Sequence, residues 1–101
     1  MMRIWLDDER DPPDENWCVA RTGAEFLALI QFPDLIGEVS FDHDLGDGEP
    51  SGSTLCSALL DRLHDYGLKM PTWHVHSANP CGAKNIESKI LSYIKITTGE
   101  A

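Results

Sequence analysis

Leu35-Ile36-Gly37-Glu38-Val39-Ser40-Phe41 runs straight into the polar burst Asp42-His43-Asp44, and Leu45-Gly46-Asp47-Gly48-Glu49-Pro50 follows. A short apolar, β-compatible run cut off by acids and then by glycines and a proline reads as a strand that delivers carboxylates into a loop. Downstream, Ser51 or Ser53 can cap a helix in which Leu55, Ala58, Leu59, Leu63 and Tyr66 recur at helical spacing until Gly67 stops it. Upstream, Thr22 with Glu25 three residues on forms a capping box before Phe26-Leu27-Ala28-Leu29-Ile30, a helix expected from Gly23 to Gln31 and halted by Pro33. A strand between two helices is the repeating unit of an α/β sheet, so this stretch decides the fold class.

The same reading extends outward. Arg3-Ile4-Trp5-Leu6 is a first strand, ended by acids and by Pro12-Pro13; Asn16 to Arg21 is a second; Thr72 to Ser77, behind Pro71, is a fourth. Ala83 to Ile94 is a last helix, with Ile86, Ile90, Leu91 and Ile94 on one face. Helices between successive strands imply right-handed crossovers and a mainly parallel, four-stranded sheet. The expected architecture is a small three-layer α/β sandwich, weakly ordered in the Pro-rich loop, the Gly-rich loop and the tail from Thr97.

One hundred and one residues provide for a single domain. With 42% hydrophobic and 25% charged residues the chain has the composition of a folded protein. Eight basic against 17 acidic residues give a formal charge of −9, which argues against extended binding to nucleic-acid backbone or anionic lipid. No apolar run spans a bilayer, and Met1 to Asp8 lacks the apolar core of a signal peptide, so a cytoplasmic location is expected. Cys18, Cys56 and Cys81 are odd in number without CxxC spacing, and are expected as small buried hydrophobes. Trp5, Trp17 and Trp73 are expected to fill the core beside the sheet.

In parallel sheets ligands bind beyond the carboxyl ends of the strands, and the densest polar clusters follow strands one, three and four: Asp7-Asp8-Glu9-Arg10, Asp42-His43-Asp44 and His76-Ser77-Ala78-Asn79. Carboxylates converging on one edge repel unless a cation sits among them, and their hard oxygens suit Mg²⁺ or Mn²⁺. Asp7, Asp8 and Asp42 are the expected metal ligands. His43, between two aspartates, is placed for proton transfer near neutral pH, with Asp44 either orienting it or standing behind the metal's direct ligands. Arg10 carries a planar fork that matches a phosphoryl group, and His76, Ser77 and Asn79 are further candidates for gripping phosphate. Asn79-Pro80 also reads as a plain helix-start turn. His74 and His76, two apart on a strand, share a face. Neither a P-loop nor a GxGxxG fingerprint is present.

Trp5-Leu6-Asp7-Asp8-Glu9-Arg10, Ser40-Phe41-Asp42-His43-Asp44-Leu45-Gly46 and His76-Ser77-Ala78-Asn79-Pro80, in this order, resemble the cyclic-phosphate-processing receiver-like domains, relatives of response-regulator receivers. In receivers an acidic pair after strand one and an aspartate after strand three bind Mg²⁺, and a Ser or Thr after strand four contacts the phosphoryl group; Asp7, Asp8, Asp42 and Ser77 occupy the matching places. The chain departs from receivers in having a Pro-rich loop where they carry a first helix, and in lacking a fifth strand ending in Lys-Pro, since Lys95 is not followed by proline. The resemblance implies a reduced receiver-like (flavodoxin-like) topology. It also implies metal-dependent phosphoesterase-type processing of a small cyclic phosphate, either an RNA 2′,3′-cyclic end or a cyclic nucleotide. The alternatives are a degenerate signalling receiver phosphorylated on Asp42 and a non-catalytic protein that binds a phosphorylated ligand.

Overall fold

A computed structural model describes residues 1–98 of the chain. Four strands form one parallel sheet in the order β2-β1-β3-β4: β1 (Met2–Leu6), β2 (Cys18–Ala20), β3 (Ile36–Phe41) and β4 (Thr72–Val75). Three helices accompany them, α1 (Gly23–Leu29), α2 (Gly52–Asp65) and α3 (Pro80–Thr98), with a 3₁₀ turn at Pro33–Leu35 ahead of β3. The α/β class, the parallel sheet and the receiver-like order are as expected from the sequence. So is the departure after β1, which leads through a loop directly to β2, and no fifth strand follows β4 among the described residues.

Local signals fix the helix starts. The Thr22 hydroxyl accepts from Glu25 N at 3.1 Å while the Glu25 carboxylate accepts from Arg21 N at 2.7 Å. Ser51, and not Ser53, caps α2 by accepting from Thr54 N at 3.1 Å. α3 starts earlier than expected, because Asn79 Oδ1 accepts from Gly82 N at 3.0 Å and Pro80 takes the first helical position, where its missing N–H costs nothing. It also ends later: the Thr97 and Thr98 hydroxyls donate to carbonyls one turn back, so these two residues belong to the helix and not to a loose tail. Residues 99–101, the rest of that expected tail, lie outside the described residues.

The layer count differs from expectation. From β2 to β3 and from β3 to β4 the chain advances in the same direction across the sheet, and right-handed crossovers in one direction put their helices on one face. α2 accordingly packs against both α1 and α3, and the buried residues of all three helices join those of the sheet in a single core. That core takes Ile4, Leu6, Val39 and Phe41 from the strands, Phe26, Leu55, Leu59, Leu63, Ile86 and Ile90 from the helices, and Ile30 from the C-cap of α1. The result is two layers rather than three. On α3 the buried face includes Tyr93, whereas Leu91 is exposed.

The other face of the sheet carries alternate residues, namely Arg3 and Trp5 of β1, Glu38 and Ser40 of β3, and His74 in register with Ser40. Arg3 Nε donates to Glu38 at 2.8 Å, and the Arg3 guanidinium lies 4.1 Å over the Trp17 ring. Trp5 meets Trp17 edge-on at 5.6 Å. Trp5 and Trp17 are thus half-buried on the open face, contrary to the expectation that they fill the core; Trp73 alone of the three packs against the core. Of the cysteines, only Cys56 is buried, its thiol pushed up to about 12 by desolvation, while Cys18 and Cys81 are exposed. No helix among the described residues is long and apolar enough to cross a membrane.

Candidate functional site

The carboxyl ends of β1 and β3 are adjacent in the sheet, which brings Asp7 and Asp42 side by side, and the loop after β4 adds Ser77 and Ala78 to the same rim. An open depression of about 300 Å³ forms there, lined by Asp7, Asp8, Arg10, Asp42, Asp44 and Ser77 together with Glu9, Gly46 and Ala78. One carboxylate oxygen from each of Asp7, Asp8 and Asp42 lies within 4.8 Å of the others. Three carboxylate oxygens at that spacing are a donor set that could together hold a cation.

Asp7 is the most constrained member, at 1% exposure. Its Oδ1 accepts from the backbone N–H groups of Glu9 and Arg10, both at 2.9 Å, which folds the loop after β1 back over the strand end. Its Oδ2 accepts from Arg10 Nε and from His76 Nε2, both at 3.1 Å. Burial opposes ionisation of Asp7, but these donors and the Arg10 charge outweigh it and hold the carboxyl below its ordinary range. Asp42 moves the other way. Burial pushes its pKa up, the His43 N–H at 2.9 Å partly offsets this, and the negative charge of Asp7 adds to the rise.

His76 serves Asp7 from behind. Its ring stacks on Trp5 at 3.9 Å and 5° between planes, and its Nδ1 lies 2.7 Å from Ser40 Oγ. Desolvation holds its pKa below the ordinary histidine value, against the pull of Asp7, so the neutral ring dominates at pH 7. A carboxylate only accepts, so Nε2 carries the proton toward Asp7 and Nδ1 accepts from the Ser40 hydroxyl. The loop itself is held by Arg21, whose Nη1 donates to the carbonyls of Asp7 at 3.1 Å and Arg10 at 2.6 Å, and whose Nη2 donates to Asp11 at 2.6 Å. Trp5 Nε1 donates to the same Arg10 carbonyl at 2.9 Å.

Two glycines let the helices close on the rim. A Cβ at Gly52 would land on the Asp42 carbonyl, and one at Gly82 on the His43 ring. His43 is therefore clasped between the end of β3 and the first turn of α3, with Nδ1 3.0 Å from Asp44 Oδ1. Asp44 also accepts from Asn79 Nδ2 at 3.3 Å, and the two contacts hold its carboxyl below the usual range.

A family model described as the cyclic-phosphate processing receiver domain matches residues 2–92. The chain belongs to the cyclic-phosphate processing receiver domain family. Comparison with curated proteins and with solved structures gave no match.

Within this receiver domain the residues singled out in the sequence divide into two groups. Asp7, Asp8, Arg10, Asp42, Asp44 and Ser77 share the central depression. His43 lines an adjoining one with Asp44, Gly46 and Ser51. His76 and Asn79 stand behind the rim: His76 is committed to Asp7 and Ser40, and Asn79 to capping α3 and to Asp44. His74, on the same open face as His76, pairs with Glu38 at 2.6 Å, away from the acids. Sequence reasoning missed Ser40, Trp5 and Arg21, which support the site. Ser40 was readable, as a hydroxyl on a strand otherwise rich in apolar residues; nothing in the sequence alone marks Arg21.

Proposed function

We propose that this receiver domain opens a small cyclic phosphodiester by hydrolysis, with Asp7, Asp8 and Asp42 holding a divalent cation. The observation that carries this reading is the meeting of carboxylates from two strand ends within 4.8 Å, beside Ser77, in a chain of a cyclic-phosphate processing family. Bound there, the cation would supply Lewis-acid stabilisation of phosphoryl charge and a more acidic water. In the reaction a water oxygen bonds to phosphorus, one ring P–O bond breaks, and the departing oxygen takes up the proton that the water gives up, leaving a phosphomonoester. His43 carries that proton. Its Nδ1 is turned to Asp44, which fixes the ring and itself lines both the central depression and the adjoining one that His43 lines. Ser77, on the depression wall, donates to a phosphoryl oxygen, and Arg10 pairs with the charge that develops there.

The test is a panel of 2′,3′- and 3′,5′-cyclic nucleotides and a 2′,3′-cyclic RNA end, incubated with Mg²⁺ or Mn²⁺ and followed by phosphorus NMR. The reading expects ring opening of at least one ligand, abolished by Asp42→Asn. If every ligand returns unchanged while acetyl phosphate leaves a stable adduct on Asp42, the protein is a signalling receiver and the hydrolytic reading is wrong.

A further inference from the structure

We propose that Arg10 is the resident counter-cation of the acidic rim, occupying the carboxylates in the metal-free protein and leaving them when a divalent ion binds. The inference rests on the metal-dependent reading above and adds to it a device built from this chain alone.

The argument begins with the number of hydrogen bonds a carboxylate can accept. Asp7 has about four in-plane lone-pair sites. All are filled: two by the backbone N–H groups of Glu9 and Arg10, one by His76, one by Arg10 Nε. Asp42 Oδ1 takes the His43 N–H and, at 3.5 Å, Arg10 Nη2. A metal ion can enter between Asp7 and Asp42 only if one of these donors withdraws. The backbone donors cannot withdraw without unfolding the loop, and His76 is locked by Ser40 and by the Trp5 ring. The Arg10 side chain is the one donor common to both carboxylates, and it is 52% exposed.

The backbone of Arg10 is anchored independently of its side chain. Its N–H is on Asp7, and its carbonyl accepts from Trp5 Nε1 and Arg21 Nη1. The guanidinium can therefore swing on a fixed root without disturbing the loop. Two cations within about 4 Å of each other repel by several times RT at a protein surface, so the ion and the guanidinium exclude one another at the carboxylates. Arg10 is the one basic residue among those lining the depression, which Ser77 lines as well, so the released fork is free to pair with a phosphate held there. Arg10 thus reaches the phosphate only after the metal has taken its place, and the site is assembled in a fixed order.

Two measurements test this. Mn²⁺ titration followed by electron paramagnetic resonance compares the wild-type chain with Arg10→Gln and Arg10→Lys. Removing the tethered charge is expected to tighten Mn²⁺ binding on the order of tenfold, with the lysine variant nearer wild type. In the second, the wild-type Arg10 Nε–H is followed by nitrogen-15 NMR during Mg²⁺ titration, which needs no variant to fold. Its resonance is expected to shift and lose protection from exchange in step with metal occupancy. Wild-type binding without tighter binding by Arg10→Gln, or with an unmoved Arg10 Nε–H at saturation, overturns the displacement while leaving the metal reading intact. If neither chain binds Mn²⁺ at millimolar concentration, the metal reading and the displacement fall together.

Discussion

At the scale of single residues, the rim holds two carboxylates in opposite electrostatic states. Asp7 is stabilised as the anion by four donors, whereas Asp42, buried beside that anion, has its pKa raised. A raised carboxyl binds more protons folded than unfolded, so its charge at neutral pH weakens the fold. Asp42→Asn is therefore expected to stabilise the metal-free protein by roughly 0.5–2 kcal/mol at pH 7 in urea unfolding, even as it removes turnover. A loss of stability would show that the Arg10 contact outweighs the repulsion. His76 titrates with the contrary sign. Its folded pKa lies below the unfolded value near 6.5, so below that pH the unfolded chain binds the proton first and stability falls as pH drops. Comparing unfolding of the wild-type chain and His76→Gln between pH 7 and 5 should show this slope in the wild type and its reduction in the variant. Equal slopes would mean that His76 is not the neutral donor to Asp7.

At the scale of elements, two glycines set how closely α2 and α3 approach the strand ends. Gly52→Ala drives a Cβ into the Asp42 carbonyl, a backbone atom with no freedom to move aside, and is expected to cost about 2–4 kcal/mol in denaturant unfolding. Gly82→Ala first meets the His43 ring, a side chain and not backbone, and is expected to cost less while displacing that ring. Near-neutral stability for Gly52→Ala would mean that α2 shifts away from the rim. What the sequence revealed, and what it hid, follows the range of the forces involved. Thr22, Glu25 and Ser51 act on backbone a few residues away, and their helices start where those residues say. Asp7, Asp42 and Ser77 could be placed together because strand ends share an edge. The start of α3 was written in Asn79-Pro80, but that pair fits a cap and a phosphate contact equally until Asn79 is seen bonded to Gly82 and Asp44. The single helical face depends on strand order, which no local pattern of residues encodes. For that reason Trp5 and Trp17, apolar and on strands or beside them, read as core residues in the sequence but lie outside the core in the fold.

At the scale of the whole molecule, 17 acidic residues against eight basic ones act on a fold of two layers, and the acids of the rim are part of that excess. Self-repulsion of this kind is screened by salt. Raising NaCl from low to physiological ionic strength is expected to raise Tm, each 1 kcal/mol of relief corresponding to roughly 4–8 °C for a chain of this size. A fall in Tm would assign more weight to the pairs of Arg3, Arg10 and Arg21 than to net charge. The open face, by contrast, keeps Trp5, Ser40 and His76 in one stack that ends on Asp7, so the side of the sheet without helices still contributes to the site. The central claim is that three separated segments hold a divalent ion against a cyclic phosphate. It is tested most directly by an anomalous difference map from crystals grown with Mn²⁺ and a slowly hydrolysed cyclic phosphorothioate. The account predicts a manganese peak among Asp7, Asp8 and Asp42 with the phosphorothioate against Ser77; a bound phosphorothioate elsewhere, or manganese absent from those three carboxylates, would contradict it.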